Sequence, residues 1–333
     1  MADRQQDQSG EDSLIARYFK PIASDPGALN LDDDAAILKA SGDDIVVTTD
    51  AILEGVHFLR DDPPDTVARK ALRVNLSDLA GKGATPAGFV LTLALRSADE
   101  AWLKPFAEAL GEDAVRFDCP LLGGDTVSTP GPLMISITAF GRVHSIKMVH
   151  RSGAKPGDRV VVTGTIGDAS LGLDVLQGGP VAAALANDPA ARQMLVERYR
   201  VPQPRSALAN AVRDHASAAM DVSDGLAGDL TKLCAASGVS AAIDAASVPL
   251  SAAAAALLAR NTVDMETLIS GGDDYEILCA IPEDRFEDFA QDAKRAGVVV
   301  TSIGTIIAGA ATPTFLDAQG KELALNRLSY SHF

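Results

Sequence analysis

Residues 30–58 read NLDDDAAILKASGDDIVVTTDAILEGVHF, and the fold turns on how this stretch is read. Ile45, Val46 and Val47 form a short β-branched run, the signature of a buried strand. The run delivers Thr48, Thr49 and Asp50 at its end. Two hydroxyls and a carboxylate then stand at the rim of a sheet, where open α/β sheets bind ligands. Just upstream, Asp32, Asp33 and Asp34 put three carboxylates in a row, which repel unless water or a cation screens them. The stretch predicts a cluster of Mg²⁺ ions at this rim, holding phosphates. From these residues alone, a solvated acidic loop followed by an ordinary strand end is the other reading.

The chain has 333 residues, which suits two domains, each with its own core. Hydrophobic residues make up 47% but aromatics only 5%, so the cores must be aliphatic. A formal net charge of −16 disfavours nucleic acid and anionic membranes, which need basic patches. Phosphate ligands remain possible, because bound divalent cations invert the local sign. Cys119, Cys234 and Cys279 are widely spaced and odd in number. That pattern predicts buried free thiols in a reducing compartment. The opening MADRQQDQSGED lacks the apolar core of a signal peptide, and no apolar run reaches the roughly 20 residues of a membrane span. The expectation is a cytoplasmic protein.

Residues 1–10 read as a disordered tail. Leu14, Ile15, Tyr18 and Phe19 have helical spacing from Glu11. Asp65 can cap a helix to about Gly83, with a core stripe of Ala68, Leu72, Leu76 and Leu79. A second stripe carries Ala71, Asn75 and Asp78. It is either an exposed polar face or a device that aims Asp78 at the cation site of Asp50. Phe89–Leu95 and Leu133–Val143 read as strands, and Glu100–Val115 as a helix. From His144 to Asp158 the chain turns basic and turn-rich, which puts a domain boundary near Lys147. An N-terminal domain (11–147) and a C-terminal domain (148–333) follow. Arg159–Thr163 is a strand leading through Gly164 and Gly167 into a helix, without the G-x-G-x-x-G spacing of a dinucleotide site. Arg151 is a candidate phosphate ligand or a plain boundary salt bridge.

Acid-bearing turns after apolar runs recur at Asp50, Asp125, Asp221 with Asp224, and Asp273 with Asp274. Most have an adjacent glycine, which lets backbone N–H groups approach a phosphate. At Asp221-Val222-Ser223-Asp224-Gly225 a single N-cap would need one such residue, not three. Carboxylates and hydroxyls without a His or Cys motif point to hard cations and phosphoryl transfer. The P-loop, the protein-kinase signatures and the G-x-S-x-G nucleophile elbow are all missing.

In order, the chain carries SLIARYF, DDAAIL, TTDAILEGVHF, KALRVNLSDLAGKGATP, LLGGDT, RSGAKPGD, VTGTIGDASLGL, MDVSDGL, SGGDDYEIL and YSHF. On these motifs it resembles the thiamine-monophosphate kinase family of the aminoimidazole-ribonucleotide synthetase-like superfamily, over nearly everything after Glu11. The resemblance implies an α/β (α+β) two-domain PurM-like fold. An N-terminal mixed sheet would form a dimer-interface barrel, and a C-terminal α/β domain would cover the nucleotide. It implies ATP-dependent phosphorylation of thiamine monophosphate to thiamine diphosphate by a Mg²⁺-dependent homodimer. Asp34, Thr48, Thr49, Asp50, Asp78, Asp125, Asp221 and Asp224 would be Mg²⁺ ligands. Gly124, Asp125, Arg151 and Ser223 would contact ATP, and His57, Asp273 and Arg327 would lie at the thiamine substrate. No dedicated base is expected. The acceptor is a phosphate whose second pKa is about 6, so it is already nucleophilic near neutrality.

Three positions depart from the family pattern. Gly-Asp-Asp becomes Asp32-Asp33-Asp34, Gly-Gly-Glu-Asp ends Gly272-Asp273-Asp274, and an aromatic before the terminal Tyr-x-His-Phe falls near Arg327. Another ATP-using enzyme of the superfamily and a non-catalytic divalent-cation module are the competing readings. A selenophosphate synthetase would carry a reactive Cys near the N-terminus, whereas the first here is Cys119.

Overall fold

The computed structural model describes residues 13–31, 36–39 and 41–329. The expected tail, the acidic triplet with the candidate ligand Asp34, and the terminal Tyr330-Ser331-His332-Phe333 lie outside the described residues. Two compact units emerge: residues up to 75 with 86–142, and residues 76–85 with 143 onward. No helix among the described residues is long and apolar enough to cross a membrane.

The first unit is built on a four-stranded sheet of order β1-β4-β2-β3. Its strands are β1 (Asp44–Leu53), β2 (Thr85–Leu95), β3 (Leu121–Ser128) and β4 (Met134–Val143). Strands β2 and β3 run parallel. The helices are α1 (Pro64–Gly81), which continues into the second unit, and α2 (Glu100–Arg116). Strand β1 does not stop at Thr48 but runs on to Leu53. Successive side chains of a strand face opposite ways, so polar positions fit inside it. Val46 and Ile52 are buried, while Val47 is 57% exposed. The N-terminal helix expected from Glu11 is instead a π-helical turn, Ile15–Phe19, followed by a 3-10 turn, Lys20–Ile22. Pro21 carries no N–H to continue an α-helix.

On α1, Ala68, Leu72, Leu76 and Leu79 are fully buried, as their spacing predicts. Asn75 on the neighbouring stripe is fully buried too, so that stripe is not a solvated face.

The second unit holds a six-stranded sheet, order β10-β7-β9-β5-β8-β6. Its members are β5 (Arg159–Thr163), β6 (Ala218–Val222), β7 (Ser240–Asp244), β8 (Glu276–Ile281), β9 (Val300–Ile307) and β10 (Thr314–Leu316). Period-two alternation divides its side chains between two cores. Val160, Val162, Met220 and Leu278 join one cluster with Leu226 and Leu230 of α7 (Leu226–Ser237). Val161, Ala219 and Ile277 join another with Val212 of α6 (Ala209–His215) and Phe289 of α10 (Phe286–Arg295). A third cluster ties α3 (Asp168–Gln177) to α5 (Pro189–Arg200) and α8 (Ala252–Ala259) through Leu171, Leu195 and Leu257. The short helices α4 (Pro180–Ala184) and α9 (Met265–Ser270) complete the unit. All three cysteines are free and buried. Burial pushes the thiols of Cys119 and Cys279 up to about 12 and that of Cys234 to about 11.

In the first unit, helices α1 and α2 are joined by an ion pair out of reach of water. Asp113 is fully buried, and Arg73, 1% exposed, donates to it from Nε at 2.6 Å and Nη2 at 2.9 Å. Arg69 adds a third hydrogen bond at 2.7 Å. Replacing Asp113 by Ala strands a buried guanidinium. The expected cost is about 3–5 kcal/mol in urea denaturation, with an Arg73→Met, Asp113→Leu double variant recovering most of it.

Candidate active site

In the first unit the candidate residues divide between two strands. Alternation along β1 puts Thr48 and Asp50 on the face of buried Val46 and Ile52, and Thr49 on the other. The Thr49 hydroxyl donates to the Ile137 carbonyl at 3.2 Å and lies 3.0 Å from the Thr138 hydroxyl, both on β4. The backbone N–H of Asp50 donates to Asn75 Oδ1 at 3.1 Å, while Asn75 Nδ2 donates to Ala71 O. Asn75 thus fixes the backbone that carries Asp50.

Gly123, Gly124 and Asp125 lie within β3 rather than in a turn. A Cβ on Gly124 would come within 2.0 Å of the Leu91 carbonyl, so only glycine lets β3 lie this close to β2. Beside it opens a cavity of about 350 Å³ lined by Phe19, Leu91 and Leu122 together with Gly124, Asp125 and Thr126. The sheet order places Asp50 and Asp125 on opposite edge strands. Three strand spacings of about 4.8 Å separate those edges.

Past the end of β1, Gly55 takes φ +82° in the turn to His57. Leu53 N–H donates to His57 Nδ1 at 3.1 Å. That nitrogen is therefore an acceptor, and the ring's proton resides on Nε2. Lys70, 1% exposed, donates from Nζ to the His57 carbonyl at 2.8 Å.

In the second unit, Asp221 is the fourth residue of β6, 7% exposed. Lys82 donates from Nζ to Ala219 O at 2.8 Å, two residues before it on the same strand. Burial holds the Lys82 ammonium below its usual range, with the Arg151 charge acting in the same direction and Asp221 and Asp78 opposing. Asp78, Lys82, Arg151 and Asp221 thus share one electrostatic neighbourhood.

Asp224 lies in the turn between β6 and α7. The N-cap of α7 is Gly225, with no side-chain cap. The turn is held by a residue the sequence reading passed over. Asp229, fully buried, accepts the N–H groups of Ser223 and Asp224 on one oxygen, both at 3.0 Å. Lys232 bridges Asp224 at 2.5 Å and Asp229 at 2.8 Å. Burial lifts the Asp229 carboxyl above its ordinary value, and Lys232 offsets part of the rise.

Asp273 has φ +72° and Tyr275 φ +51°. Between them Asp274 is 1% exposed. Glu276, fully buried, begins β8 and gathers Arg198 at 2.8 Å, Arg205 Nε at 2.6 Å and the Thr163 hydroxyl at 2.6 Å. Arg327 is exposed, and its backbone N–H donates to Glu266 at 2.8 Å. Among the described residues no three His, Cys, Asp or Glu side chains form a ready-made metal cluster. The donor chemistry itself, carboxylate and hydroxyl oxygen, suits Mg²⁺.

Comparison with known proteins places the fold in a family. The family described as AIR synthase related protein matches with its N-terminal domain at residues 32–143 and its C-terminal domain at 155–314. The thiamine-monophosphate kinase of Caulobacter vibrioides is 45% identical over 96% of this chain and 89% of its own. The crystal structure of thiamine-monophosphate kinase from Stenotrophomonas maltophilia K279a superposes with a TM-score of 0.80 at 35% identity, covering 94% of this chain and 96% of that one. AaThiL complexed with AMPPCP and TMP gives 0.75 at 28% identity, over 90% and 91%.

Burial pushes the Asp274 carboxyl up to about 8, against a lowering pull from Arg198. The nearby Asp168 raises it further, and the amides of Gly167 and Ala169 lower it. A folded-state value above the unfolded one means full stability in acid, lost as pH rises through the folded value. Wild type should therefore lose stability relative to Asp274→Asn between about pH 5 and pH 8, read as urea midpoints across that range.

Proposed function

The chain belongs to the AIR synthase related family, among its thiamine-monophosphate kinases, and from that premise we propose that it transfers the γ-phosphoryl group of ATP to thiamine monophosphate, yielding thiamine diphosphate and ADP. The observation that carries this reading is full-length likeness to kinases of that name, one of them solved with AMPPCP, an ATP analogue, and TMP.

A terminal phosphate oxygen of thiamine monophosphate attacks the γ-phosphorus in line as the bond to the β-phosphate oxygen breaks. The acceptor's second pKa of about 6 leaves it ionised near neutrality, so no side chain need remove a proton. The chain's part is to hold two anions together and neutralise them. In the first unit Thr48, Thr49, Asp50 and Asp125 offer oxygen ligands, with Asp34 proposed beside them. In the second unit Asp78, Asp221 and Asp224 do the same. Bound Mg²⁺ would supply the positive charge that lets phosphates approach one another. Gly124, Arg151 and Ser223 are proposed to meet ATP. The Nε2–H of His57, Asp273 and Arg327 are proposed to meet the thiamine substrate. A cytoplasmic setting accords with these substrates.

We also propose a homodimer. The four-stranded sheet has open edges at β1 and β3, and its exposed apolar side chains include Ile45, Val47 and Val127. A second copy would cover them.

A coupled assay for thiamine diphosphate with ATP and Mg²⁺ should show turnover, and Asp50→Asn and Asp78→Asn should each lose at least about 100-fold in kcat while remaining folded. Absence of turnover in wild type would sink the reading, as would trapping of a phospho-aspartate for the direct transfer. For the dimer, Val47→Asp should sediment at half the wild-type mass. An unchanged mass would count against this face.

A further inference from the structure

The loop 271–275 is held from two opposite sides, and one side chain provides one of those holds. From below, the two oxygens of the Asp274 carboxyl group accept the N–H of Gly167 at 2.7 Å and that of Ala169 at 3.3 Å. These are the N-cap and an early residue of α3, whose unpaired amides and dipole favour a carboxylate. Arg198 Nη2 adds a contact of 3.4 Å to the Asp274 carbonyl. From above, the backbone is tied to the turn that carries Ser223. Asp273 N–H donates to Ser223 O and Tyr275 N–H to Val222 O, both at 2.8 Å. A Cβ on Gly272 would lie 2.7 Å from Ser223 O, so the two loops touch at backbone distance. The Ser77 hydroxyl reaches the Tyr275 carbonyl at 3.4 Å.

Asp273 and Tyr275, on either side of the buried carboxylate, are both left-handed. L-residues leave that region unless their surroundings over-determine it. Amides on one side and carbonyls on the other supply that determination. Without the carboxyl group, that side of the clamp keeps only the 3.4 Å contact of Arg198 to the Asp274 carbonyl.

We propose that Asp274 is a positioning residue. It does not touch substrate but pins the loop so that Asp273 is presented to the thiamine substrate in a fixed left-handed conformation. This rests on the kinase reading given above and adds to it the residue that sets affinity for the acceptor. The neighbouring turn has its own anchor in Asp229, which holds the amides of Ser223 and Asp224. Loss of Asp274 should therefore fall on the acceptor and spare the nucleotide.

The test uses the full chain with Asp274→Ala and Asp274→Asn, the latter keeping one acceptor oxygen. Expected for Asp274→Ala is a rise on the order of tenfold in KM for thiamine monophosphate, the worth of one such hydrogen bond. KM for ATP and kcat should stay within about threefold of wild type, and Asp274→Asn should restore most of the loss. Hydrogen exchange should quicken at the amides of Asp273 and Tyr275 while those of β8 stay protected. An unchanged KM for thiamine monophosphate with only a lower melting temperature would overturn the proposal, as would equal rises for both substrates. Should Asp274→Ala not fold, Asp274→Ser, whose hydroxyl is too short to reach both amides, takes its place. If wild type shows no turnover, the kinase reading fails. The exchange measurement still decides the pin, and unaltered exchange at residues 271–275 overturns it.

Discussion

A carboxylate taken out of water must be met by hydrogen-bond donors, or the fold cannot keep it. This chain, with a net charge of −16, buries several carboxylates and meets each differently. Asp113 is met by two arginines, Asp229 by two backbone amides and a lysine, Asp274 by two amides at a helix start, and Glu276 by two arginines and a threonine. Among the described residues, the acids expected to serve phosphates are exposed or half-exposed, apart from Asp221 at 7%. Burial makes the first group rigid scaffolding, and its rigidity holds the second group in place. Three of the four lie in the second unit, around the turn at Ser223 and the loop at Asp273, where two backbone segments must be held in contact.

Much of this architecture was legible in the residues, because period and spacing encode it. The stripe on α1 read correctly as to where apolar residues belong. The β-branched start of β1 predicted a buried run, yet only Val46 is buried while Ile45 and Val47 are exposed. The glycine beside Asp125 serves close packing of β3 on β2. The acidic positions also fell near one another within the second unit: Asp78 and Asp221 share the neighbourhood of Lys82 and Arg151. What sequence could not give was the pairing of strands. Asp50 and Asp125 looked like equivalent ends of apolar runs, yet they lie inside opposite edge strands, since sheet order depends on contacts remote in sequence.

Asn75 and Asp229 were missed as functional supports for different reasons. Asn75 stood in a stripe that could equally have faced water, and only its burial against the β1 backbone decided the matter. Asp229 reads as an ordinary polar residue in the first turn of a helix. Its oxygen turns back to amides five and six residues earlier, a geometry that no local spacing announces. Asp274 was seen as one of a pair with Asp273, but the pair splits, one side chain going inward and its neighbour's backbone turning left-handed.

The three deeply set cysteines have a practical corollary. Their thiols stay protonated across the usable pH range, and the thiolate is the form that reacts. Alkylating dyes and spin labels would find no partner on the folded chain. A single cysteine engineered onto its surface would therefore be tagged cleanly without first removing the native ones, and any extra label would report a molecule that had come apart.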